Sequence, residues 1–222
     1  MPRIGPRREL KTALEAYWGG RSTAEALRET ASGLRAASWT RQKALGITQI
    51  PSNDFSLYDH VLDTTAMVGA VPAMYQAKSG AVDLTTYFAM ARGTQGEAGE
   101  AACTHWHHDH GHAGLPALEM TKWFDTNYHF MVPQLSRGQN FSLSSTKIID
   151  EYTEAKALGF DTRPALVGPV TYLLLGKTTD GIDPLSLLPG LLPVYVEVLR
   201  RLAWAGATSV QIDEPCLGPV VT

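Results

Sequence analysis

Cysteine is scarce in this 222-residue sequence: Cys103 and Cys216 are the only two, far apart. That excludes the dense disulfide framework of a small secreted domain and points to a reducing, cytoplasmic setting. Long apolar runs are missing as well. No stretch approaches the ~20 residues a membrane helix needs, and the charged start from Met1 to Lys11 is followed by no apolar segment of a leader. Excess charge of one sign is also lacking, with 19 basic against 22 acidic side chains and a formal charge of -3. No overall field draws the chain to nucleic acid or anionic lipid, so any anion must be held by a local cluster. Neither a phosphate-cradling glycine loop, a nucleophile elbow nor a dinucleotide fingerprint occurs.

What is present is an alternation of apolar runs with helical periods. Leu10, Ala13, Leu14 and Tyr17 recur at helical spacing from Arg7 to Trp18, closed by Gly19-Gly20. Ser22 stands three residues before Glu25 as a capping box for a second helix toward Gly46. Ile47 to Ile50 reads as a short strand ended by Pro51, with Asp54 set to cap a helix through Val61 and Leu62. Further strands are expected at 128–132, 165–167 and 209–212, with helices over 146–158 and 185–205, each closed by glycine. Such alternation implies an α/β fold with a parallel sheet, either doubly wound or a (β/α) barrel. Gly93 to Pro116, rich in Gly, Ala and His, reads as a long loop within one domain over residues 1–222.

Several clusters carry potential chemistry. Arg8 and Lys11, one helical turn apart, are placed either to hold a polycarboxylate or simply to solvate a basic terminus. Between Glu119 and His129 aromatic and polar residues interleave: Lys122 offers a cation, Asn127 an amide that donates and accepts, while Trp123, Phe124 and Tyr128 suit a core more often than a stacking platform. His105, His107, His108, His110 and His112 are zinc-type ligands, but their spacing fits no closed structural site, so at most adventitious metal binding is expected there. Gly168-Pro-Val-Thr171 suggests a tight turn. Asp213-Glu214 places two carboxylates at a strand exit, suited to base, ligand or rim-ordering roles.

Pro-Arg-Ile-Gly5, Arg8-Glu-Leu-Lys11, Pro51-Ser-Asn-Asp-Phe55, Tyr58-Asp-His-Val-Leu62, Glu119 to His129, Gly168 to Thr171 and Val210-Gln-Ile-Asp-Glu-Pro215 occur in one order along almost the whole chain. Together they resemble the N-terminal domain of cobalamin-independent methionine synthases. The Pro-Ser-Asn-Asp-Phe variant and Glu154 to Gly159 look more like fungal or other eukaryotic members. The resemblance implies a (β/α)8 TIM-type barrel, here incomplete with about five of eight βα units, and methyl transfer from 5-methyltetrahydropteroyltri-L-glutamate to L-homocysteine, without cobalamin. It implies that Arg8, Glu9, Leu10, Lys11 and Lys122 contact the folate, with Asn127 beside them. Zinc would be bound by a C-terminal domain outside these residues, so this chain alone is expected to be inactive, with no catalytic residue of its own. The alternative is a non-catalytic polyglutamate- or metal-binding module, or an inactive gene fragment.

Overall fold

A computed structural model describes residues 4–75, 82–94 and 114–218. Helix α1 (Glu9–Trp18) stops at Gly19, and α2 (Ala24–Ala44) follows. The expected capping box is displaced by one residue: Thr23, in extended conformation, accepts the Ala26 N–H at 3.3 Å, and Ser22 does not cap. β1 (Ile50–Ser52) runs through Pro51 instead of ending there. An edge position explains this, because β1 pairs only with β5 among the described residues and proline's missing N–H is tolerated at a sheet edge.

After β1 the chain turns sharply at Asn53, whose φ of 60° is left-handed. Phe55 and Ser56 are buried in the connecting loop, which delays the next helix, α3 (His60–Val68). Its cap is therefore Asp59 and not Asp54; the Asp59 carboxylate accepts the N–H groups of Val61 and Leu62, each at 2.8 Å. Helix α4 (Leu84–Arg92) is capped in the same way by Asp83.

β2 (Met120–Lys122) and β3 (His129–Met131) make an antiparallel hairpin, so the strand expected near 128–132 pairs locally rather than entering the parallel sheet. Then come β4 (Gln134–Leu135), α5 (Lys147–Ala157), β5 (Thr162–Val167), α6 (Pro169–Leu175) and β6 (Lys177–Thr178). Gly168-Pro169 opens α6 and is more than a turn: proline at the first helical position has no amide to leave unpaired. The long helix expected from Leu185 begins as a 3-10 turn, Pro184–Leu187, before α7 (Leu188–Ala205), and β7 (Gln211–Asp213) closes the series.

The principal sheet is parallel, in the order β1-β5-β7. β5 divides its length: Thr162 to Pro164 register with Ile50 to Ser52, and Ala165 to Val167 with Gln211 to Asp213. A second parallel pair joins β4 and β6. The main core packs Val61, Ile148, Leu166, Leu173, Val198 and Leu202 between helices and sheet. A neighbouring cluster holds α1 and α2 to α3 and α4 through Leu10, Leu27, Leu62, Phe88 and Met90. Each such side chain contributes roughly 1.5–3 kcal/mol by leaving water, which is ample to fix the short strands between them.

Candidate functional site

At the carboxyl ends of β1, β5 and β7 the chain leaves a cavity of about 640 Å³, lined among others by Asn53, His60, Asp63, Trp123, Lys147 and Asp213. Asn53 is held at the rim in both directions. Its amide donates to Ala165 O at 2.8 Å, and its Oδ1 accepts from Lys147 Nζ at 2.8 Å. Across the rim, Glu214 leaves β7 and accepts the Val170 and Thr171 N–H groups at 3.1 and 2.7 Å. That carboxylate satisfies amides that the first turn of α6 leaves open. A β-carbon at Gly168 would run into the Glu214 side chain, so a larger residue there would have to displace the carboxylate from these amides. The two motifs singled out separately in the sequence are thus one structural joint.

Lys147, at the start of α5, is the hub of the charged part of this wall. Its ammonium donates to Phe55 O at 2.6 Å and lies 3.3 Å from Asp63 and 3.1 Å from Glu151. Burial pulls its pKa down, but the carboxylates of Asp63 and Glu151 outweigh that and leave it raised. Arg35 from α2 extends the network to Glu151 and Glu154, at 3.5 and 2.7 Å. Tyr87 closes it, donating to Asp63 Oδ1 at 2.6 Å; burial and the nearby carboxylates push its phenol well up, so it stays a donor. Helices α2, α3, α4 and α5 are tied together through these polar contacts.

The hairpin forms the opposite wall. Asp59, besides capping α3, accepts the Met131 N–H at 3.1 Å and so fastens β3 to that helix. Burial pushes its carboxyl up to about 7, against the lowering effect of the three amide donors.

The residues expected to bind folate lie elsewhere. Arg8 is the N-terminal flanking residue of α1, at φ 64°, and its side chain is exposed. Glu9 accepts from the Arg7 backbone N–H at 2.9 Å, and Lys11 is exposed with Glu15 at 3.5 Å. Leu10 is only 3% exposed and belongs to the core. Lys122 and Asn127 are exposed on the hairpin, at the end of β2 and in the connecting turn. None of the six lines the cavity. The five loop histidines fall outside the described residues. Asp63 and Lys147 were not singled out in the sequence, and Asp59 and His60, within the Tyr58 to Leu62 motif, were given no role there. Asp59 before Val61-Leu62 carried a readable capping signal, whereas Lys147 looks in sequence like any surface lysine.

Parallel strands with amide, ammonium and carboxylate groups gathered at their carboxyl ends define an α/β protein of the type that places ligands at that rim. Residues 1–220 match the family described as cobalamin-independent synthase, N-terminal domain, and the chain belongs to that family. It is 69% identical over 218 residues to the 5-methyltetrahydropteroyltriglutamate–homocysteine methyltransferase of Nitrobacter winogradskyi. Proteins of the same name from Caulobacter vibrioides and Rhodopseudomonas palustris are 65% and 63% identical over 218 and 220 residues. In each case 97% of this chain is covered, and the chain spans about 28% of the relative's length. All three relatives are bacterial, so they lend nothing to the expected fungal or eukaryotic likeness.

Proposed function

We propose that this chain is the N-terminal part of a methyltransferase that converts L-homocysteine to L-methionine with 5-methyltetrahydropteroyltri-L-glutamate, and that its share of the work is to grip the polyglutamate tail. The observation that carries the reading is the family match over residues 1–220, together with relatives named for that reaction. Residues 1–222 form one domain in this reading, an incomplete (β/α)8 barrel, acting in the cytoplasm. No described helix is long and apolar enough to cross a membrane.

The tail presents several carboxylates, and exposed Arg and Lys side chains hold such groups by charge-assisted hydrogen bonds. Arg8, Lys11 and Lys122 are the cations assigned to it, and Asn127 the neutral hydrogen-bonding partner. Glu9 orders the helix start through Arg7, and Leu10 anchors that helix in the core. Zinc activates the homocysteine thiol in the family; among the described residues of this chain no three His, Cys, Asp or Glu are grouped to hold a metal ion. No chemical step is assigned to a metal on this chain, and in this reading its part in methyl transfer is binding rather than chemistry.

Calorimetry with methyl-folate triglutamate tests the reading. Lys11→Ala and Lys122→Ala should each weaken binding about tenfold, the loss of a charge-assisted bond. Unchanged affinity in both removes the tail clamp.

A further inference from the structure

The hairpin that carries Lys122 and Asn127 has two three-residue strands, and a two-stranded hairpin of that size is marginal by itself. Its turn is closed by the Trp123 N–H donating to Tyr128 O at 2.7 Å and the Thr126 N–H to Trp123 O at 3.1 Å, with Phe124 at a left-handed φ of 49°. Phe124, Asp125, Thr126 and Asn127 are all exposed, so the turn has little core of its own. Trp123 packs edge-on against Phe130 at 5.9 Å, and one side chain of α3 then meets both ends of the turn. The His60 ring stacks on Tyr128, with centroids 5.2 Å apart and planes 23° from parallel, and meets Trp123 edge-on at 4.4 Å. The Tyr128 hydroxyl lies 3.1 Å from His60 Nδ1 and accepts the His60 backbone N–H at 3.4 Å. His60 is the first residue of α3, directly after Asp59, which fastens the base of the hairpin through Met131.

We propose that His60, acting through Tyr128 and Trp123, is a positioning residue that presets the hairpin tip, and with it Lys122 and Asn127, for the anionic tail of the ligand. The inference rests on the tail-binding reading given above. Its physical content is pre-organisation. A cation on an ordered turn meets a carboxylate without the entropy of ordering that turn at the moment of binding. Aromatic pairs of this geometry contribute beyond their buried area, and a ring held between two others leaves the turn few alternatives.

The test uses the 222-residue chain in two measurements: amide hydrogen exchange across 123–128, and calorimetry with methyl-folate triglutamate and monoglutamate. His60→Leu should accelerate exchange at the turn at least tenfold and weaken triglutamate binding about tenfold, with monoglutamate binding little changed. His60→Phe, which keeps a ring, should recover part of both, and Tyr128→Phe, which keeps the stacking, should lose about threefold in triglutamate affinity. Unchanged exchange in His60→Leu overturns the proposal. So does accelerated exchange with triglutamate affinity intact while Lys122→Ala loses it. If Lys122→Ala itself loses nothing, the tail reading fails and the ligand role of His60 falls with it. Circular dichroism of each variant separates these outcomes from unfolding, and Tyr128→Phe, the mildest change, carries the test if His60→Leu does not fold.

Discussion

Replacing Lys147 by methionine keeps most of the side-chain volume and removes the charge at the centre of the wall. Four contacts disappear together: those to Asn53 Oδ1 at 2.8 Å, Phe55 O at 2.6 Å, Asp63 at 3.3 Å and Glu151 at 3.1 Å. Asp63 keeps the Tyr87 hydroxyl and Glu151 keeps Arg35, but the latter pair is separated by 3.5 Å. Removing one partner of a buried ion pair costs about 3–5 kcal/mol, because the remaining charge stays out of water unpaired. The Lys147 side chain is 27% exposed, which lets solvent screen part of that charge and places the expected loss at the lower end, about 3 kcal/mol. For a chain of this length each kcal/mol moves the midpoint about 2–4 °C, so thermal unfolding followed by circular dichroism should drop by about 6–12 °C. Neutralising the orphaned partner should restore part of the loss: Lys147→Met with Asp63→Asn is expected to cost less than the sum of the single changes. A loss below 1 kcal/mol, or strict additivity, would refute the claim that this network ties the helices together.

Three further outcomes follow from the same geometry. Asp59 has a folded pKa of about 7, above its unfolded value near 3.9, so the folded state binds the extra proton between them and stability declines as pH rises across that window. The full effect is about 4 kcal/mol at 1.36 kcal/mol per pKa unit, and Asp59→Asn should flatten this part of the pH–stability curve measured by urea unfolding. Gly168→Ala should destabilise by about 1–3 kcal/mol, the usual cost of overpacking, because its β-carbon meets the Glu214 carboxyl; Gly168→Ala with Glu214→Ala should relieve the clash but not restore the lost cap. Within the first helix, Leu10→Ala should cost about 2–5 kcal/mol as a core truncation, whereas Lys11→Ala should leave stability within ~0.5 kcal/mol, separating a packing role from a binding role in adjacent residues.

Three helices were legible where an apolar period met glycine, whereas α6, also closed by a glycine, reads in sequence only as a tight turn. Gly19, Gly159 and Gly206 follow α1, α5 and α7 as expected, the last two in left-handed conformations. Caps were read less well, because Ser22 and Thr23, or Asp54 and Asp59, offer the same chemistry and only the path of the preceding chain selects between them. The short strands gave weak signals. β2, β4 and β6 have two or three residues each, too few for alternation to show, and the β4–β6 pair joins residues distant in sequence. The site divides in the same way. Glu214 and Gly168 stood out one at a time, but that they touch is a fact of topology. Lys147 acquires its meaning only when α3 and α5 are brought together, and His60 only when the hairpin folds over it.

The most direct test of the account compares two ligands that differ only in their tails. Titrated calorimetrically into the 222-residue chain at low ionic strength, methyl-folate triglutamate should bind at least tenfold more tightly than the monoglutamate. That advantage should shrink as salt screens exposed cations and carboxylates. Equal affinity for the two ligands at every salt concentration would contradict the claim that this chain grips the polyglutamate tail.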